Sequence, residues 1–163
     1  MKMLVGFVIG VIAAPLLLAL AGLLGWLGST ANATPPAWEN ALGARLLDSA
    51  LEKRSSGLKN PIRPNDTAAL AAGQKIFGHD CAGCHGSAKG PSSWGSHDFY
   101  PRVPQFYQQP GELSPAEAYA AIHDGIRYTG MAAWRDQLTD QQIWQLANFV
   151  SRINNPSGPA ERD

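Results

Sequence analysis

The chain has little of what most enzymes and binding modules are built from. Only two cysteines occur in its 163 residues. That excludes a multi-bridge disulfide framework, and a zinc site made of two thiolate pairs lacks its second pair. Arg and Lys together number 13, as do Asp and Glu, so the net charge is zero. Such a balance implies no general attraction to nucleic acid or to anionic surfaces. No segment alternates apolar and polar residues as a half-buried strand would, and no internal repeat is present. Methionine is scarce too. Met1 and Met3 precede a long uncharged run, which leaves Met131 as the single thioether in the rest of the chain.

Both cysteines fall in one pentapeptide, Cys81-Ala82-Gly83-Cys84-His85. Two thiols three positions apart can be alkylated by the two vinyl groups of a haem while the adjacent imidazole binds the iron; this is the c-type attachment signature. The competing readings are a disulfide, half of a zinc site and a thioredoxin-like redox pair. The other histidines, His79, His97 and His123, show no ligand spacing. A thioredoxin-like pair follows a strand in a βαβ pattern, whereas an alanine-rich helical stretch precedes this one. The motif predicts one haem c, bound through Cys81 and Cys84 with His85 on the iron. It predicts an electron-moving role and no catalytic residue.

Residues Leu4 to Leu27 carry no charge and are almost all apolar or glycine. About 20 such residues span a bilayer's hydrocarbon core as a helix. The run predicts a single transmembrane anchor over residues 4–27, with Pro15 as a kink and Trp26 at the interface. Lys2 favours a cytoplasmic N-terminus. The rival reading is a cleaved signal peptide, for which Ala31-Asn32-Ala33 offers a small-x-small site. The apolar stretch is longer than the roughly 7–15 residues usual for a signal. Both readings export the rest of the chain, to the outer, periplasmic face of a bacterial cytoplasmic membrane, where haem c is attached.

The expected organisation is an anchor at 1–28, a juxtamembrane helix and proline-containing linker at 29–64, a compact domain at 65–155 and a flexible tail at 156–163. Trp38 to Arg54 reads as an amphipathic helix with Trp38, Leu42, Leu46 and Ala50 in one stripe, flanked by Leu47 and Leu51. It would pack on its own domain, lie at the membrane surface or dock a partner subunit. Asn65 or Asp66 can cap a helix running to about Phe77. A loop rich in Gly, Pro, Ser and aromatics covers Gly86 to Gly111. Ser114-Pro115-Ala116-Glu117 starts a helix that stops at Gly125. Thr139-Asp140-Gln141-Gln142 starts a last one with Ile143, Leu146, Ala147 and Val150 on one face, ended by Asn155-Pro156.

The second axial position on the iron decides the function. Met131 sits in a loop between two helices beside Gly130, where a thioether can reach the iron; His97 and His123 are its rivals. Around these residues the chain resembles the class I cytochromes c, over roughly Asn65 to Ile153. Gly73 and Phe77 resemble that family's Gly-x-x-x-aromatic pair, and Leu146 and Phe149 its Leu-x-x-aromatic pair, which cross between the terminal helices. Thr129-Gly130-Met131 looks like the distal ligand loop, although Ala132 stands where proline often follows. Val103-Pro104-Gln105-Phe106 resembles the segment whose proline carbonyl accepts a hydrogen bond from the proximal histidine. The resemblance thus implies an all-α cytochrome c fold, His85 and Met131 as iron ligands, and Pro104 as the partner of His85, with Pro101 its nearby rival. Arg102, Arg127, Tyr128 and Trp134 are candidates for the haem propionates.

A His/Met-ligated iron has no open coordination site, which makes it a one-electron carrier. The expected function is a membrane-anchored monohaem cytochrome c that passes electrons between redox protein partners. One alternative is the haem-c subunit of a larger membrane oxidoreductase, of the terminal or nitric-oxide reductase type. The other is a five-coordinate haem peroxidase or gas sensor, which requires that Met131 does not bind.

Overall fold

The computed structural model describes residues 2–28, 30–63, 65–109 and 111–153. The expected tail at 156–163 and the Asn155-Pro156 stop lie outside these residues. The chain divides into two units, Met1–Ala33 and Thr34–Asp163.

The first unit is one helix, α1, Lys2–Leu23, which passes through Pro15 without interruption. Gly25 adopts φ +74, the Gly25 amide donates to the Gly22 carbonyl at 3.0 Å, and the Trp26 amide donates to Ala21 at 2.9 Å. This left-handed glycine cap closes the helix four residues before the apolar run ends. Among the described residues no helix is long and apolar enough to cross a membrane. The side chains at positions 4, 5 and 8 of the apolar run are not among them.

The second unit begins with α2, Ala37–Ser55, opened by Pro36. It belongs to the same unit as the helices that follow it. Its contact face differs from the expected stripe. Trp38, Leu42 and Leu46 are exposed, while Leu51 is fully buried. Leu51 packs with Leu47 against Ala120 and Ala121 of α5, Pro115–Asp124. Two small alanines let the α2 backbone approach closely, so a narrow Leu47–Leu51 edge suffices for the contact.

Helix α3, Thr67–Ile76, is capped by Asp66, whose carboxylate accepts from the Ala69 amide at 2.9 Å. The other candidate cap, Asn65, takes a left-handed conformation with φ 64. The helix continues as a π-helical turn, Phe77–Cys81, and a final α-turn, α4, Ala82–His85. Helices α5 and α6, Asp140–Val150, both open with full capping boxes, from Ser114 with Glu117 and from Thr139 with Gln142. No strand occurs among the described residues.

Helices α3 and α6 cross at Gly73. A Cβ there would lie 2.7 Å from the carbonyl carbon of Gln145 and 2.8 Å from Phe149 Cβ. One turn on, the Phe77 and Phe149 rings meet at 5.6 Å. The main core gathers Phe77, Tyr119, Ile122, Ile143, Leu146 and Val150, so α5 and α6 pack beside the segment that carries both cysteines.

Candidate cofactor site

The π-helical turn widens the helix up to and including Cys81 and is followed by the single turn that carries Cys84 and His85. Both cysteines are free and half-buried. Burial, with smaller contributions from Asp80 and Cys84, pushes the Cys81 thiol up to about 12, so it stays neutral. Cys81 and His85 line one cavity together with Phe77, Phe106, Met131 and Trp134. Apart from His85, every lining residue is apolar or aromatic.

The His85 ring is fixed from two sides. Nδ1 lies 2.9 Å from the Pro104 carbonyl oxygen. A carbonyl only accepts, so Nδ1 carries the proton and Nε2 keeps its lone pair, the tautomer a metal needs. Phe106 stacks on the ring at 4.8 Å and 16°. Burial lowers the imidazole below its ordinary value, against a smaller opposing effect of the Pro104 hydrogen bond. A neutral imidazole is the ligating form.

The loop after the motif is pinned onto it. Gln105 donates to the Cys84 carbonyl at 3.0 Å and to Val103 at 2.9 Å, and accepts from the Ser92 amide at 2.8 Å. Ser92 Oγ and Trp94 Nε1 both donate to the Gly83 carbonyl, at 2.6 and 3.0 Å. Gly95 passes against the Cys84 carbonyl so closely that no side chain would fit there. Sequence reasoning did not single out Gln105, Ser92 or the Trp94 contact.

Met131 reaches the same cavity from a loop whose backbone is tied at both ends. Its amide donates to Thr129 Oγ1 at 3.0 Å, and its carbonyl accepts from the Ile126 amide at 3.0 Å. Thr129 Oγ1 in turn donates to the Ile126 carbonyl at 2.7 Å. Gly130 lies against the Phe99 ring, 2.5 Å from where its Cβ would sit. His85 and Met131 therefore face one space, and Pro104 touches His85. The rival histidines do not line this cavity. His97 bonds Ser96 Oγ at 2.7 Å, and His123 bonds Asp124 at 2.8 Å and stacks on Tyr119. Of the four propionate candidates, only Trp134 lines the cavity; Tyr128 is 89% exposed, and Arg102 donates to the Phe99 carbonyl at 2.6 Å.

These residues suit an iron porphyrin. An apolar cavity takes a flat aromatic macrocycle, two unpaired thiols are available for thioether bonds, and one imidazole and one thioether remain as iron donors. Among the described residues no three of His, Cys, Asp and Glu gather into a metal site of their own. The donor set thus matches a metal that arrives within a ligand.

Residues 68–150 match the family described as cytochrome C oxidase, cbb3-type, subunit III. The chain is 33% identical over 98 residues to the cbb3-type cytochrome c oxidase subunit FixPc of Rhizobium leguminosarum bv. viciae, covering 60% of this chain and 31% of that protein. It is 32% identical, with the same coverage, to the cbb3-type cytochrome c oxidase subunit FixP of Rhizobium etli. The chain thus spans about a third of the length of the curated relatives it matches. Among solved structures, the Kuenenia stuttgartiensis reducing HAO-like protein complex Kustc0457/Kustc0458 is similar at 26% identity. It covers 60% of this chain and 47% of that one, with a TM-score of 0.47.

Proposed function

The chain belongs to the subunit III family of cbb3-type cytochrome c oxidases and is a class I c-type cytochrome, and from that membership we propose that it relays single electrons between protein partners as a haem-carrying subunit of a larger membrane oxidoreductase. Cys81 and Cys84 would hold haem c by two thioether bonds. His85 and Met131 would be the iron's protein donors, and Pro104 would set the ring orientation and tautomer of His85. When bound, the haem supplies a one-electron iron couple whose potential a Met/His ligand pair raises. The chain's own residues keep water from it: Phe77, Phe106, Trp134 and Leu146 close an apolar space. The observation that carries this reading is the pair His85 and Met131 lining one apolar cavity, with the His85 Nδ1 proton held by Pro104.

Anchoring by α1 belongs to the same proposal, with the haem domain on the periplasmic side of a bacterial cytoplasmic membrane. It is supported by the uncharged, almost wholly apolar run from Leu4 to Leu27. It is also supported by the exposure of Phe7, Ile9, Val11 and Leu16 to Leu18.

An optical spectrum tests the ligation. The oxidised protein should be low-spin with the weak far-red band of thioether–iron ligation, and the reduced protein should not bind CO on mixing. A high-spin spectrum with rapid CO binding would overturn it. Purification in mild detergent tests the assembly, which requires a stoichiometric redox partner.

A further inference from the structure

Helix α2 lies outside the segment that matches the family, yet it reaches the ligand loop. Arg54, in its last turn, donates from Nη1 to the Gly125 carbonyl at 3.2 Å. Gly125 ends α5 with φ 69, and a Cβ on it would lie 2.7 Å from both the Met131 carbonyl oxygen and the Ala133 amide nitrogen. The Gly125 carbonyl and the Ile126 amide belong to one planar peptide unit. The carbonyl of that unit is held by Arg54, and its N–H donates to the Met131 carbonyl at 3.0 Å. One rigid plane therefore joins the guanidinium to the backbone of Met131.

We propose that Arg54 is a positioning residue for Met131, holding the Gly125–Ile126 peptide plane so that the Met131 loop keeps its place beside the cavity. The proposal rests on the ligation of Met131 given above. Arg54 is itself anchored. Leu51, one turn earlier, is fully buried on α5, and Asp124 Oδ2 lies 3.9 Å from Nη1. Its Nε is buried with no hydrogen-bond partner among the described residues. An arginine that leaves one donor unmet is a poor choice for a solubilising surface charge. It suits a residue whose remaining nitrogens have a fixed task. The Asp124 contact alone would not account for the arrangement, because Arg135 Nη1 already serves Asp124 at 3.1 Å.

Exogenous imidazole competes with Met131 for ferric iron, so its apparent affinity reads how firmly the loop is closed. The assay uses the full-length, haem-loaded protein in detergent at neutral pH and follows loss of the far-red band. Arg54→Met should tighten apparent imidazole binding about tenfold, the size of one charge-assisted hydrogen bond to a carbonyl. Arg54→Lys keeps the charge but loses the planar fork, and should give a smaller shift, about threefold. It also serves if Arg54→Met does not fold. Arg135→Met removes another basic partner of Asp124 without touching Gly125, and should leave imidazole binding within about twofold of wild type. Wild-type imidazole affinity in Arg54→Met and Arg54→Lys would overturn the proposal, as would an equal shift in Arg135→Met. A wild-type protein lacking the far-red band would instead refute the Met131 ligation and the positioning role with it, so the two failures are distinguishable.

Discussion

Replacing Gly73 with alanine should destabilise the protein, although helix propensity alone says the opposite. In a helix interior alanine is favoured over glycine by about 1 kcal/mol. At Gly73 the new methyl would stand 2.7 Å from the Gln145 carbonyl carbon and 2.8 Å from Phe149 Cβ. Carbon atoms rest at about 3.5–4.0 Å, so α3 and α6 must separate by roughly 0.8 Å. Neither neighbour is the end of a flexible side chain, and no rotamer change relieves the contact. Overpacking of this kind costs about 1–3 kcal/mol, and a clash with backbone belongs at the upper end. The net loss is about 2 kcal/mol, or about 8 °C of melting temperature for a unit of this size. Far-UV circular dichroism of the haem-loaded protein in detergent measures it. Gly43, in α2, has nothing within 4 Å of its would-be Cβ; Gly43→Ala is the matched control and should stabilise slightly. If both alanine variants melt at or above the wild-type temperature, the close crossing at Gly73 is refuted.

Gln105→Leu strips three hydrogen bonds from the loop over the motif and leaves the Cys84 and Val103 carbonyls and the Ser92 amide without that partner. A loss of about 2–4 kcal/mol in guanidinium unfolding is expected, with early proteolytic cleavage between residues 86 and 105; wild-type stability would remove Gln105 from the account. Asp124 gives a pH test. Burial raises its carboxyl, but the hydrogen bond and charge of His123, the charge of Arg54 and the hydrogen bond from Arg135 outweigh this and hold it below its ordinary value. A depressed carboxyl contributes stability that is present above the unfolded value of about 3.9 and is lost as pH falls through the folded one. The acid limb of the melting curve, below about pH 4, should therefore be shallower in Asp124→Asn, and an unchanged slope would contradict the cluster.

Features set by nearby residues were legible in the chain. The capping boxes at Ser114 and Thr139, the stop at Gly125 and the pentapeptide Cys81–His85 each join groups within a few positions, so spacing alone exposes them. Pro104 was legible only by resemblance, since its carbonyl meets His85 Nδ1, at 2.9 Å, across 19 residues. Other features depend on partners that spacing does not show. The π-helical turn at Phe77–Cys81 continues the same apolar period as α3, so nothing in the pattern marks the change. On α2 the apolar residues run round the helix, and the wider stripe is Trp38–Leu42–Leu46. The buried edge is Leu47–Leu51, chosen by the two alanines on α5. Gln105 reaches Cys84 across 21 residues and Arg54 reaches Gly125 across 71. A single polar residue at such a distance carries no sequence signal of its own.

The central proposal is that Met131 and His85 would together serve as the iron's protein donors in a site that moves electrons. The most direct measurement is the optical spectrum of Met131→Ala beside wild type, with His97→Ala and His123→Ala as controls. The account predicts that Met131→Ala alone loses the far-red thioether band and that its reduced form binds CO on mixing, while both histidine variants keep the wild-type spectrum. A Met131→Ala spectrum identical to wild type, or loss of low-spin ligation in either histidine variant, would contradict it.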